Sequence, residues 1–563
     1  MSNGSGGTHA DQEDPRADLI WGTVPTLVED AAVRHATTEA VVDGEVRLTF
    51  AELAPEVDRY ARGFMAAGVK AGDRVGIWAP NCAEWMLAAL GVLRSGGVIV
   101  PLNTRFKGGE AAYIMRNAGA TLLVTVRGFL GFDYPAMLAN EELGSLTTIL
   151  LLRDEGGDGQ SAVPIVGLDE FLAAGRSVDP EETSARAAAI RPEDMSDLIF
   201  TSGTTGHPKG AVATHAQSLR TFGTWASIVG LGAGDRYLIV NPFFHTFGYK
   251  AGILACLMAG ATVVPEPVFD AGAVMRRIAA ERISVLPGPP TLYQTLLGDP
   301  ERAKHDLSSL RLGVTGAAVV PVELVRAMGD ELGFTTVLTA YGLTESCGTV
   351  TMCRRSDPPA IVAGTSGRAI PGLEVRAVAD GKETSPGAPG EIVVRGYTVM
   401  SGYWGNEEAT AETIDRDGWL HTGDIGVLDS DGNVTITDRV KDMYVVGGFN
   451  AYPAEIEAIL RGHEAVGQAA VVGVPDARMG EVGCAYVVPA AGALGSDTAA
   501  EADELGRSIL SWSRGAMANY KVPRGIVLVD ALPVNASGKV LKRELRDRHA
   551  SGTDRVVTME RSN

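Results

Sequence analysis

From Arg74 to Asp154 the chain alternates short, wholly apolar runs with stretches of helical length: "RVGIWAP", then Cys82 to Leu93, then "GGVIVPL", "ATLLVTV" and "TTILLL". Apolar runs of this length, separated by helical stretches, predict βαβ units in a largely parallel sheet with helices on both faces. The stretch before them differs. "AVVDGEVRLTF" reads as a hairpin turning at Asp43-Gly44. Thr49 and Glu52 then form a capping box ahead of a run that places Leu53, Val57, Phe64 and Met65 on one helical face. The alternation resumes in "RISVLPGPP" and "LRLGVTGAA". Beyond Gly364 the texture changes to short strands and glycine turns, "GEIVVRG" and "GNVTITDR", which predicts a small β-rich subdomain. A helix signal from Pro453 to Leu460 opens a last α+β unit, with the main boundary at Asp438 to Asp442. The expected fold is α/β. Residues 21–438 form a large N-terminal domain of βαβ layers plus the β-rich subdomain, 439–442 a connector, and 443–550 a small α+β domain, with tails at 1–20 and 551–563.

Length and charge narrow the classes. A chain of 563 residues exceeds one core and predicts two or three domains. A net charge of −20 argues against a nucleic-acid partner, whose footprint is basic, and means that an anionic ligand must be held by local donors. The five cysteines are scattered without a CxxC pair, so they read as reduced thiols and not as a zinc site. The longest strongly apolar run, Ala251 to Pro265, falls short of the about 18 residues that a membrane span needs. The opening "MSNGSGGTHADQEDPRAD" has no apolar segment and reads as a disordered tail without a signal peptide. A soluble, cytoplasmic protein is expected.

The candidate chemistry begins at "TSGTTGHPKG", Thr201 to Gly210. Its glycines, Pro208 and short hydroxyl side chains favour an irregular loop, and exposed backbone N–H groups followed by one cation suit a cluster of anionic oxygens. A Walker-type phosphate loop needs lysine followed by Ser or Thr, whereas Lys209 follows proline and precedes glycine, so that reading fails. An ordinary glycine-rich loop competes. Position favours a phosphate site: the loop follows the strand "DLIF" and precedes a helix-forming stretch, where α/β sheets present such sites.

"TSGTTGHPKG" resembles the signature loop of the adenylate-forming superfamily, which includes acyl-CoA synthetases, coumarate:CoA ligases, luciferase and peptide-synthetase adenylation domains. The chain also carries "YGLTES" (Tyr341 to Ser346), "GWLHTGD" (Gly418 to Asp424), "DRVKD" (Asp438 to Asp442) and "NASGKV" (Asn535 to Val540), in the family's order. The resemblance runs over most of the chain and implies an AMP-forming carboxylic acid:CoA ligase that uses ATP, Mg2+ and CoA. In such an enzyme a carboxylate displaces pyrophosphate from ATP, and the thiol of CoA then displaces AMP.

The resemblance implies roles residue by residue. Thr201, Ser202, Gly203, Thr204, Thr205, Gly206 and Lys209 would hold the departing phosphates. Thr344 would face the α-phosphate and Glu345 the metal. Tyr341 and Gly342, with Gly316, Ala317 and Ala318, would enclose the adenine. Asp424 would accept from the ribose hydroxyls, with Arg439 beside it. Lys539 would bridge carboxylate and α-phosphate. The small C-terminal domain would be a mobile lid turning about Lys441, and Gly447-Gly448 would line the thiol channel. His245 would lie beside the acyl carboxylate, with Tyr249 one turn on.

Lys250 stands out, since it opens the otherwise apolar "AGILACLMAG". Two explanations compete. Its ammonium reaches water, or with Tyr249 it binds a second oxygen on the acyl group. The stretches "DRYLIVNPFFHTFGYKAGILACLMAGAT", "VLPGPPTLYQTLL" and "DMYVVGGFNAYPAEIE" resemble an actinobacterial subgroup that acts on the indanedione propionate left by steroid ring breakdown. Fatty or aromatic acids are the alternative substrates. A carrier-loading enzyme is disfavoured because no carrier module follows Lys539, and a luciferase-like side activity stays open. The expected partners are a small carboxylic acid, ATP and CoA, and a homodimer is compatible with the sequence.

Overall fold

The computed structural model describes residues 14–156, 161–201, 208–316, 320–439, 442–446, 449–476, 479–493, 499–517, 519–535 and 539–558. Contacts divide the chain into two compact units, Met1–Val375 with Val394–Leu420, and Arg376–Val393 with His421–Asn563. The division falls within the β-rich segment, ahead of the boundary at Asp438 to Asp442 that the sequence suggests.

In the first unit the hairpin is present as β1 (Glu39–Asp43) and β2 (Val46–Thr49), with Gly44 at φ +60°. The capping box that follows is made by the Thr49 N–H to Glu52 Oε2, 2.9 Å, and the Glu52 N–H to Thr49 Oγ1, 3.3 Å, and it opens the helix Phe50–Ala66. The apolar runs become β3 (Arg74–Trp78), β4 (Val98–Pro101), β5 (Ala120–Arg127), β6 (Thr148–Asp154), β7 (Ile165–Gly167) and β8 (Met195–Thr201). With β9 (Lys209–Thr214) they make a seven-stranded sheet in the order β7-β6-β5-β3-β4-β8-β9, parallel except for β9. Between β3 and β4 runs the helix Ala83–Arg94, apolar on every side and buried from Ala83 through Leu93 except at Glu84. An all-round apolar helix of this kind belongs in the interior.

A second sheet joins β10 (Arg236–Ile239) and β11 (Thr262–Pro265) to β1 and β2. A third begins with the parallel pair β12 (Leu312–Gly316) and β13 (Thr336–Tyr341). The C-terminal ends of β8, β12 and β13 carry the candidate loops, as expected of parallel α/β sheets.

The second unit takes in the antiparallel pair Leu420–Leu428 and Val434–Arg439 from His421 onward. Its C-terminal part is built on Val466–Asp476 and Gly480–Pro489, paired antiparallel, with the helices Pro453–Leu460, Ala499–Ala516 and Lys542–Ser551. Among the described residues, no helix is long and apolar enough to cross a membrane.

Candidate active site

At the end of β8 the chain returns antiparallel along β9, with Thr201 opposite Lys209. The helix-forming stretch expected beyond the loop is present, but a strand comes between. "KGAVAT" continues the ladder with β8 first, and the helix His215–Val229 begins only after Thr214, which caps it with a full capping box. The loop therefore joins two paired strands. Ser202, Gly203, Thr204, Thr205 and Gly206 lie outside the described residues. Lys209 carries its ammonium 5.2 Å from the centre of the Tyr403 ring.

One carboxylate organises the rim of this loop. Thr201 Oγ1 donates to Glu345 Oε1 at 3.2 Å, and Tyr403 Oη donates to the same oxygen at 2.8 Å. Burial and then the carboxylate push the Tyr403 phenol well above its ordinary pKa, so it stays a donor at neutral pH. The main chain of Glu345 is fixed as well, its carbonyl accepting from the Met400 N–H at 2.8 Å. Glu345 sits in a single 3-10 turn, Thr344–Ser346, just after β13 ends at Tyr341. Both Tyr341 and Glu345 are half-buried.

Close backbone approach explains the nearby glycines. A Cβ on Gly342 would lie 2.3 Å from the Gly348 carbonyl oxygen, and one on Gly316 would lie 2.5 Å from that of Ala340. These positions need glycine whatever they bind. Beside Gly316, the Thr315 hydroxyl is buried with no hydrogen-bond partner among the described residues. Ala317 and Ala318 lie outside the described residues.

On the other side of the turn stands His245, whose Nδ1 accepts from the Phe247 N–H at 3.2 Å and so caps the short helix Thr246–Gly248. The His245 side chain is solvent-exposed, and desolvation by the surrounding protein lowers its imidazole pKa. It is neutral at pH 7. The next segment, Tyr249–Leu254, is a π-helical turn, a local widening found often at functional sites. Tyr249 is fully buried against Trp85, with ring centres 5.9 Å apart, and its hydroxyl has no hydrogen-bond partner among the described residues.

The expectation that the Lys250 ammonium reaches water is corrected. The side chain is 1% exposed, so it does not reach water, and its Nζ lies 2.8 Å from Asp197 Oδ1 and 3.4 Å from Cys347 Sγ. The ammonium is held by a carboxylate of β8. Burial works against the charge, but Asp197 and the Cys347 sulfur more than offset it and raise the Lys250 pKa.

In the second unit, Asp424 and Arg439 are cross-strand partners in register. Asp424 is buried, its N–H donates to Thr422 Oγ1 at 3.1 Å, and the preceding Gly423 N–H donates to Glu391 Oε1 at 3.0 Å. Lys539 closes a small loop: its N–H donates to Asn535 Oδ1 and its carbonyl accepts from the Asn535 N–H, both at 2.8 Å. Lys441, Gly447 and Gly448 lie outside the described residues.

Sequence reasoning missed Tyr403, Glu391, Asp197 and Cys347. For Asp197 a signal was present. It is the one charge in the apolar run "MSDLIF", as Lys250 is in its helix, and two opposite charges each isolated in an apolar element call for each other.

The AMP-binding enzyme family matches this chain over residues 28–404, and the AMP-binding enzyme C-terminal domain matches residues 455–539. The chain is 49% identical over 527 residues to the 3-[(3aS,4S,7aS)-7a-methyl-1,5-dioxo-octahydro-1H-inden-4-yl]propanoyl:CoA ligase of Rhodococcus jostii (strain RHA1), covering 93% of this chain and 98% of that protein. It is 47% identical over 525 residues to the Mycobacterium tuberculosis (strain ATCC 25618 / H37Rv) protein of the same name, with the same coverage. Among solved structures, an anthranilate CoA ligase in complex with anthranoyl-AMP is similar with a TM-score of 0.82 at 28% identity, covering 96% of this chain and 99% of that one.

Proposed function

This chain belongs to the AMP-binding enzyme family and is an AMP-forming acid–thiol ligase that uses ATP and CoA, and we propose that the acid it activates is the methyl-dioxo-octahydroindenyl propionate named for its relatives. The observation that carries the substrate is the identity of 49% to the Rhodococcus protein across nearly the full length of both chains. The buried Tyr249 hydroxyl supports it, since a donor left without a partner in an apolar surround costs about 1–3 kcal/mol unless a ligand oxygen meets it. A ring ketone is such an oxygen.

The chemistry joins two anions. The substrate carboxylate attacks the α-phosphorus of ATP, pyrophosphate leaves, and an acyl-adenylate forms. The thiol sulfur of CoA then bonds to the acyl carbon and AMP departs. In the first step Lys539 supplies positive charge between carboxylate and α-phosphate. Thr344 donates to that phosphate, while the Thr201-to-Gly206 loop and Lys209 hold the phosphates that leave. His245, neutral, orients the carboxylate and removes no proton, because a carboxylate is already ionised at neutral pH. Tyr341, Gly342, Gly316, Ala317 and Ala318 enclose the adenine, and Asp424 with Arg439 holds the ribose. For the second step the C-terminal part turns about Lys441, withdrawing Lys539 and bringing Gly447-Gly448 to the thiol path.

Magnesium fits Glu345. Oε1 accepts from Thr201 and Tyr403, and the carboxylate would offer an oxygen ligand to a hard cation that typically takes one or two carboxylates and substrate phosphates. When bound, the ion supplies screening of the phosphate charge. The five cysteines are all buried free thiols, in keeping with the cytoplasm as the compartment. A homodimer is a compatible assembly, which sedimentation tests.

The experiment is a comparison of kcat/KM for the indanedione propionate, octanoate and ferulate, with the CoA thioesters identified by mass. We expect a preference of about a hundredfold or more for the diketone acid, as for sites built to hydrogen-bond a substrate group. An equal or higher value for either other acid overturns the substrate assignment.

A further inference from the structure

Three segments that carry proposed site residues meet at one buried cation. Asp197 lies in β8, four residues before Thr201, whose hydroxyl bonds Glu345. Cys347 lies two residues after Glu345 and takes a left-handed backbone conformation, φ +57°, closing the turn with its N–H on the Thr344 carbonyl at 3.0 Å. Lys250 lies five residues after His245, and the Tyr249 N–H donates to the His245 carbonyl at 2.9 Å. The Lys250 ammonium contacts both of the others, Asp197 at 2.8 Å and Cys347 at 3.4 Å. Behind Asp197 stand two hydroxyls, Ser196 Oγ at 2.7 Å and Ser218 Oγ at 3.4 Å from its Oδ2.

Stability alone is a weak reason for such a pair. Taking two charges out of water costs several kcal/mol, and apolar residues of similar volume often serve a core as well or better. A buried pair of fixed geometry does what apolar packing does less well, setting one distance and one orientation between the elements it joins. Here the joined elements are the phosphate-loop strand, the turn of Glu345 and the helix behind His245. On the reading of Thr201, Glu345 and His245 given above, these are the holders of phosphate, metal and carboxylate.

We propose that Lys250, through Asp197 and Cys347, is a positioning residue for adenylation, which sets the acyl carboxylate against the α-phosphate without touching either. A loss of registry of about 1 Å at reacting atoms costs about a hundredfold in rate. Thioester formation from a preformed acyl-adenylate does not depend on that alignment.

The test uses Lys250→Met and the double variant Lys250→Met/Asp197→Asn of the full-length enzyme. The single variant leaves Asp197 buried without its cation and lowers stability. The double variant removes both charges while keeping shape, and its melting temperature returns toward wild type. Acid-dependent ATP–pyrophosphate exchange and thioester formation from supplied acyl-adenylate are measured on each at matched folded fraction. Positioning predicts that exchange stays about a hundredfold down in both variants, in kcat more than KM, while the second half-reaction is retained. Recovery of exchange together with stability in the double variant makes the pair purely structural and overturns the proposal, as does equal loss of both half-reactions. Exchange by wild type and its loss in Glu345→Ala test the underlying site reading separately.

Discussion

Tyr403 Oη donates to Glu345 Oε1 at 2.8 Å, joining residues 58 apart in sequence. The bond engages one carboxylate oxygen of Glu345, the same one that accepts from Thr201. A hydrogen bond to a charged acceptor contributes about 1.5–3 kcal/mol, so Tyr403→Phe should lower kcat/KM for ATP by about that free energy while the melting temperature moves little. Steady-state kinetics over a magnesium titration check this. Unchanged ATP kinetics would remove Tyr403 from the site.

Lys539→Ala should abolish acyl-adenylate formation, a loss of about 3–4 kcal/mol for one preorganised charge contact, and spare thioester formation from supplied acyl-adenylate. Loss of both half-reactions in equal measure would contradict the two-state role of this lysine.

Lys441→Pro should have the opposite effect. Proline fixes its own φ and removes an N–H donor, so a turn centred there is stiffened. Pyrophosphate exchange should stay near wild type while CoA thioester formation falls. Wild-type overall turnover would place the pivot elsewhere.

His215 should contribute to the loss of stability in acid. Its Nδ1 accepts from the Val24 N–H at 3.2 Å, which requires an unprotonated nitrogen, and burial holds its pKa at about 4 despite the opposing pull of Asp194. The unfolded chain, with a histidine pKa of about 6.5, binds the proton more readily than the fold does. The stabilisation is therefore complete above about pH 6.5 and is lost as pH falls toward about 4, by up to about 3 kcal/mol. Denaturant unfolding across that range should show a steeper acid loss in wild type than in His215→Gln. Parallel curves would contradict the assignment.

What could be read from the chain was whatever depends on local pattern. The hairpin at Asp43-Gly44 and the capping box of Thr49 and Glu52 are encoded within a few residues and formed as expected. Strand β9 was missed because "KGAVAT" alternates too weakly to declare a strand, and its pairing with β8 depends on a partner across the loop. The surroundings of Lys250 were out of reach for another reason. A lone cation in an apolar stretch announces a cost, but Asp197, which offsets it, stands 53 residues away on a different element. The π-helical turn at Tyr249–Leu254 has the same apolar composition as an α-helix and leaves no mark in the pattern. Tyr403 reached the site through the long connection from Glu345, a tertiary fact with no periodic signature.

Direct attack of the acid's carboxylate on the α-phosphorus of ATP would carry one carboxylate oxygen into AMP. The indanedione propionate is prepared with 18O in its carboxyl group and turned over with ATP, magnesium and CoA, and the nucleotide product is analysed by mass spectrometry. The expected products are AMP carrying one 18O atom and unlabelled pyrophosphate. Unlabelled AMP, or ADP with label in phosphate, would contradict direct attack.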